Sequence, residues 1–168
     1  MMRTLPPTIL LALILSACSP KYDWRDFRSS DAPYAVLFPG KPDTQTRSIK
    51  LDQLEVNMTM SAADIDGVVF AVGSVQLADA AQAPAAVEAM KTAMVKNINA
   101  SITSSKTLPN GAQEVDASGS GGANGRPMRM LGRFLAKDKR VYQVVVVGPA
   151  QEISAEPVDT FLTSFKLN

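Results

Sequence analysis

The sequence predicts an α+β domain, a mainly antiparallel sheet flanked by helices, and three observations lead to it. β-rich runs recur with short turn signals between them, so that consecutive strands fold back on one another. Two stretches, one mid-chain and one at the end, change from alternation to helical spacing. The order is strands, helix, strands, helix, which segregates helices from strands instead of alternating them one for one.

Tyr34–Phe38 is a short β-rich run closed by the turn signal Pro39-Gly40, and Thr44–Leu51 reads as a second strand. Leu54–Ile65 alternates, with Val56, Met58, Met60 and Ala62 on one face and Asn57, Thr59 and Ser61 on the other, the pattern of a half-buried strand. Asp66-Gly67 is a two-residue hairpin signal. It leads into Val68–Leu77, apolar on both faces and therefore expected at the centre of the sheet.

The chemistry then turns alanine-rich. From Pro84 to Asn99, Val87, Met90, Met94 and Ile98 fall near one helical stripe, with Pro84 suited to the first turn. Ser101–Leu108 resumes extended structure, Pro109-Asn110-Gly111 turns it, and Ala112–Ser118 pairs back. The glycine-rich Gly119–Gly125 connects to the longest hairpin, Arg126–Lys137 with Arg140–Val147, joined at Asp138-Lys139 and ended by Gly148-Pro149. In the last helix Ser154 is a candidate N-cap, Ile153 is placed to staple onto Val158, and Val158, Phe161, Leu162 and Phe165 make one apolar face. The sequence contains no internal repeat.

Ahead of these elements Arg3 supplies a positive start, and Leu5–Leu15 is an apolar run short of the about 20 residues that span a bilayer. Small residues then precede Cys18, the one cysteine of the chain. This is the layout of a secretory signal peptide, residues 1–17, removed in the mature protein. A single cysteine excludes a disulfide within the monomer, and a free thiol in an oxidising compartment is a liability that an acylated sulfur is not. Leu15-Ser16-Ala17-Cys18 resembles the lipobox of bacterial lipoproteins. The resemblance implies that Cys18 becomes the N-terminus and carries thioether-linked diacylglycerol plus an amide-linked acyl chain, which together exceed the two-signal threshold for stable anchoring. In the same family a serine after the cysteine, here Ser19, implies the outer membrane, with the domain facing the periplasm. Residues 18–33 are then a lipidated N-terminus and tether, whose Tyr22, Trp24 and Phe27 dock it as a helical turn, and residues 34–168 are one periplasmic domain.

Removing 17 of the 168 residues leaves 151, enough for one domain with a proper core. Only Arg3 leaves with the signal, so the mature chain carries 16 basic and 16 acidic residues, and this neutrality offers nothing to nucleic acid. Histidine is absent, which removes imidazole-based hydrolase triads, histidine zinc sites and imidazole pH switches.

Tyr34–Pro42, Arg140–Pro149 and Phe161–Leu167 resemble the opening strand, penultimate strand and closing helix of a group of secreted bacterial proteins of unknown function. That group is similar in layout to the PsbP-like fold. The resemblance implies a central antiparallel sheet with helices on both sides, an α/β/α layering, and a role as a binding or assembly factor, because PsbP-like proteins mostly act so. It transfers no active site.

Three sets of residues carry candidate chemistry. Met58 and Met60, with Met128 and Met130, are two pairs at strand spacing whose thioethers suit Cu(I), although methionine is also a flexible core filler. Arg129, Arg133 and Lys137 share one strand face with Leu131 and Leu135. They read either as a surface for an anion, a lipid headgroup or an envelope protein partner, or as a solvated edge. Gly119–Gly125 lacks the Gly-Lys-Ser/Thr ending of a phosphate loop and stands as a hairpin connection. Asp64, Asp66, Glu114, Asp116, Glu152 and Glu156 show no acid–base or metal spacing. The functional expectation is a membrane-anchored envelope lipoprotein serving as a non-enzymatic binding or assembly module with no cofactor. The alternatives are a methionine-based periplasmic copper-binding protein and a histidine-independent hydrolase.

Overall fold

The computed structural model describes residues 20–121 and 124–168. The lipobox and Cys18 lie outside the described residues.

Among the described residues ten strands and two α-helices follow in chain order: β1 (Arg25–Arg28), β2 (Tyr34–Phe38), β3 (Asp43–Leu51), β4 (Leu54–Ile65), β5 (Val68–Gln76), α1 (Ala83–Asn97), β6 (Ala100–Thr107), β7 (Gln113–Gly119), β8 (Met128–Lys137), β9 (Arg140–Pro149), α2 (Ala155–Ser164) and β10 (Lys166–Leu167). This is an α+β fold. Seven strands form one sheet in the order β3-β4-β5-β9-β8-β7-β6, and every neighbouring pair in it is antiparallel. A smaller sheet, β1-β2-β10, is antiparallel as well.

The hairpins expected from local turn chemistry form in register. Asp66 and Gly67 both adopt positive φ, as a two-residue turn of the primed type requires, and Ile65 faces Val68. Asp138 also takes positive φ at the turn joining β8 to β9. The pairing of β5 with β9 closes the seven strands into one sheet, with Val72 opposite Val144. Both strands are buried on the two sides, in keeping with their continuous apolar sequences.

The two faces of the large sheet support separate cores. On one face Phe70, Val72, Val144 and Val146 pack with Tyr34, Val36 and Phe38 of β2 and with Val158, Phe161 and Leu162 of α2. On the other, Ala71, Val141, Val145, Met130 and Phe134 pack with Ala83, Ala86, Val87 and Met90 of α1. The Phe161 ring stands edge-on to Phe70, 5.4 Å between centroids, and tilted against Phe38 at the same spacing.

Four expectations need correction. The segment before Tyr34 is not a helical turn. Arg25–Arg28 is an extended strand paired with β2, and Trp24 and Phe27 pack on the core, so the fold begins ahead of residue 34. The backbone groups of β2 need partners on both sides, and β1 and β10 supply them. Secondly, the hydroxyl face of β4 is not solvated. Ser61 is 1 % exposed and Thr59 nearly as buried, beneath the small sheet. Hydrogen bonds permit this: Ser61 Oγ meets Thr44 Oγ1 at 2.8 Å, Thr46 and Thr59 hydroxyls meet at 2.8 Å, and Tyr34 Oη donates to Ser61 at 3.4 Å.

Thirdly, Ser154 has the extended backbone of an N-cap but its side chain makes no capping bond. Finally, α2 ends at Ser164. Phe165 is extended, and its ring packs against Tyr34 and Tyr142 at 5.5 and 5.8 Å from outside the helix. Ser164 closes the turn by donating from Oγ to Phe161 O, and the same oxygen accepts from the Leu37 N–H, tying α2 to β2. Among the described residues no helix is long and apolar enough to cross a membrane.

Candidate functional site

Among the described residues, two of the concavities left after the layers have packed involve the candidate residues. The first is a cleft of about 450 Å³ between α2 and the β6–β7–β8 end of the sheet. Leu131 contributes to its floor and Ile153, Val158 and Leu162 to its wall. It forms because α2 is only ten residues long and packs nearer the centre of the sheet, leaving the outer strands without a cover.

Arg129 and Arg133 lie in this cleft, and both are paired with carboxylates of β7. Arg129 makes a two-pronged contact with Asp116, Nε to Oδ1 at 3.0 Å and Nη2 to Oδ2 at 2.6 Å. The hydrogen bonds with Asp116 hold the Arg129 guanidinium above its ordinary pKa. Arg133 Nε donates to Glu114 at 2.8 Å, and Lys106 Nζ reaches the other Glu114 oxygen at 2.8 Å. The hydrogen bond from Lys106, followed by that from Arg133, holds the Glu114 carboxyl below the usual carboxylate range. Lys106, Arg129 and Arg133 are thus balanced around the cleft by Glu114, Asp116 and Asp159. Lys137 is exposed at the far end of β8 and does not join them.

Glu114 and Asp116 point to the same side of β7, about 7 Å apart along the strand. Among the described residues no three His, Cys, Asp or Glu side chains come together as a metal-holding group.

The second concavity is a groove of about 510 Å³ on the opposite face, along β3, β4 and the start of β5. Its surface is Ile49, Met58, Met60, Ala62 and Val69, rimmed by Asp43, Gln45, Arg47 and Asp64. No residue of α1 lines it. Gln143 marks the boundary of the helix: its side chain lies over Gly73 and donates to Met94 Sδ at 3.7 Å. Met58 and Met130 are both buried in the core on the α1 side, while Met60 and Met128 are half-buried beside it, so it is Met60 that presents its thioether to the groove.

The two methionine pairs share a face of the sheet but do not meet. β4 and β8 are three strand positions apart, about 14 Å, and Met60 is level with Phe134, four residues along from Met130. Sequence spacing alone identified the face of β4. That no helix covers it, and that Ile49 and Val69 extend it, could not be read from alternation. The cleft brings Lys106 of β6 together with Ile153 and Asp159 at α2, about fifty residues on in the chain, and no local pattern showed that these two segments meet. No protein-family model and no curated protein matches this chain.

Proposed function

We infer that this chain is a lipid-anchored envelope protein that works as a non-enzymatic binding or assembly module, attached through acyl chains on Cys18. The observation that carries this reading is the apolar groove of Met60, Ala62 and Val69, half-buried side chains that α1 does not cover, beside the buried Met58. Its near end lies at the β4–β5 hairpin. There Lys21 Nζ stands 3.6 Å from Asp66 Oδ2, three residues after Cys18. The described start of the chain thus lies near one end of the proposed docking surface, which supports the reading.

The placement of α1 on one face of the large sheet, with α2 on the other, supports a PsbP-like layering. Binding and assembly roles are usual for that layout. Ser19 supports the outer membrane, with the domain in the periplasm.

Feeding labelled palmitate to cells expressing the native chain and Cys18→Ala tests the reading. Label is expected in the native protein, which fractionates with outer membranes, and none in the variant. Label that persists in Cys18→Ala, or a native chain recovered unlabelled in the soluble fraction, removes the anchor. A charge placed in the groove by Met60→Lys is expected to abolish association with envelope components while leaving the melting temperature within a few degrees.

A further inference from the structure

We propose that the β3–β4–β5 groove is the resting place of an acyl chain borne by Cys18 of the same molecule. The proposal rests on the acylation reading above and adds the occupant of the groove.

Position is the first argument. The leading segment meets the β4–β5 hairpin through the Lys21–Asp66 ion pair, and the Asp23 N–H, donating to Pro39 O at 3.0 Å, fixes it to the end of β2. Cys18 precedes Lys21 by three positions, a reach of at most about 11 Å. Asp64, two residues before Asp66, lines the near end of the groove and accepts the Gly67 N–H at 2.8 Å. A chain on the Cys18 sulfur can therefore turn around the hairpin tip and enter the groove at Asp64.

Shape and chemistry are the second. Along β4 the groove runs from Asp64 to Met58, six residues and about 20 Å. One leaflet of hydrocarbon, half of a core about 30 Å thick, is about 15 Å deep, so the groove is long enough for a lipid tail. Met58 and Met60 are flexible and polarizable, and such side chains mould to an unbranched guest. The charged rim groups stand at the borders and leave the middle apolar.

Third, the acyl chain is tethered, so its effective concentration at the groove is set by a three-residue link and lies in the millimolar range or above. A free lipid or a partner segment must compete with that. The occupied groove would shield one tail while the protein is in water, and leave it free to pass to a bilayer.

The test uses the full chain from cells fed a palmitate analogue carrying a diazirine, irradiated after purification in mild detergent. The expected product joins the Cys18 peptide to the β4 peptide containing Met58 and Met60. Its yield should fall about tenfold or more in Met60→Glu or Val69→Glu, since a buried unpaired carboxylate opposes the guest, with labelling of Cys18 unchanged. The native-chain map decides the matter without either variant. Cys18 labelled but crosslinked only to detergent or to other surfaces overturns the proposal while keeping the anchor. A phospholipid adduct on the β4 peptide, without the Cys18 peptide, also overturns it and makes a membrane lipid the occupant. An unlabelled Cys18 overturns the proposal together with the anchor.

Discussion

Arg133 Nη1 donates to the carbonyl oxygen of Leu162 at 2.9 Å, so a charged residue of β8 holds the closing helix against the sheet. Leu162 lies in the last turn of α2, where carbonyls lack intrahelical donors and the helix dipole favours a cation. With Nε on Glu114, the same guanidinium links β7, β8 and α2. Its side chain is 23 % exposed, so this is a partly buried connection and not a solvated charge.

Arg133→Met is therefore expected to lower the unfolding free energy by about 1–3 kcal/mol, because it leaves Glu114 and the Leu162 carbonyl short of a donor. Arg133→Lys should recover only part of the loss, since an ammonium cannot serve both partners in the planar geometry. Urea unfolding measures both. A midpoint unchanged in Arg133→Met would show that the contacts contribute nothing.

Glu114 should leave its mark on the acid limb of stability. Its folded pKa is lowered, chiefly by the hydrogen bond from Lys106, so it stabilises the fold fully above the ordinary glutamate value of about 4.3. That contribution declines as pH falls below this value and is gone once pH passes the lowered folded pKa. Glu114→Gln is expected to be less stable than the native chain at pH 7, with the difference shrinking toward pH 3. Parallel stability curves across that interval would contradict the linkage.

Phe161 is fully buried between Phe38 and Phe70. Phe161→Ala should cost about 3–5 kcal/mol, a large share of a domain stability of about 5–15 kcal/mol. Deleting residues 158–168 would remove most of α2 and β10 and leave β2 without one partner, so protease sensitivity and aggregation are expected. Thermal unfolding of Phe161→Ala checks the first statement, and an unchanged midpoint would take α2 out of the core.

Two glycines should respond differently to alanine. A Cβ on Gly119 would collide with the Asn99 carbonyl oxygen, a backbone atom fixed where α1 gives way to β6. Gly111 has φ of +83° and nothing near its missing side chain. Gly119→Ala should therefore lower the melting temperature well beyond Gly111→Ala, which carries only the left-handed strain of about 1–2 kcal/mol. Equal shifts would mean that the α1–β6 connection yields freely.

Local sequence determined the elements, because strand alternation, helical spacing and turn chemistry act over a few residues. Asp66-Gly67 and Asp138-Lys139 place two hairpins, Leu54–Ile65 is one continuous strand, and Val158, Phe161 and Leu162 are the buried face of α2. The two apolar strands expected at the centre, β5 and β9, are there. Tertiary structure alone decided what covers each face. Arg25–Arg28 has no apolar alternation of its own and is a strand only because β2 offers it unpaired backbone groups. Thr59 and Ser61 look solvated and are buried because Thr44, Thr46 and Tyr34 complete their hydrogen bonds from other elements. Met58-x-Met60 and Met128-x-Met130 have the same spacing in sequence and each has one buried and one half-buried member, yet only the first pair lines the groove that α1 leaves uncovered. Period-2 alternation tells which side chains share a face. Whether that face meets a helix, a second sheet or open space depends on the paths of segments remote in the chain, and no local pattern encodes those paths.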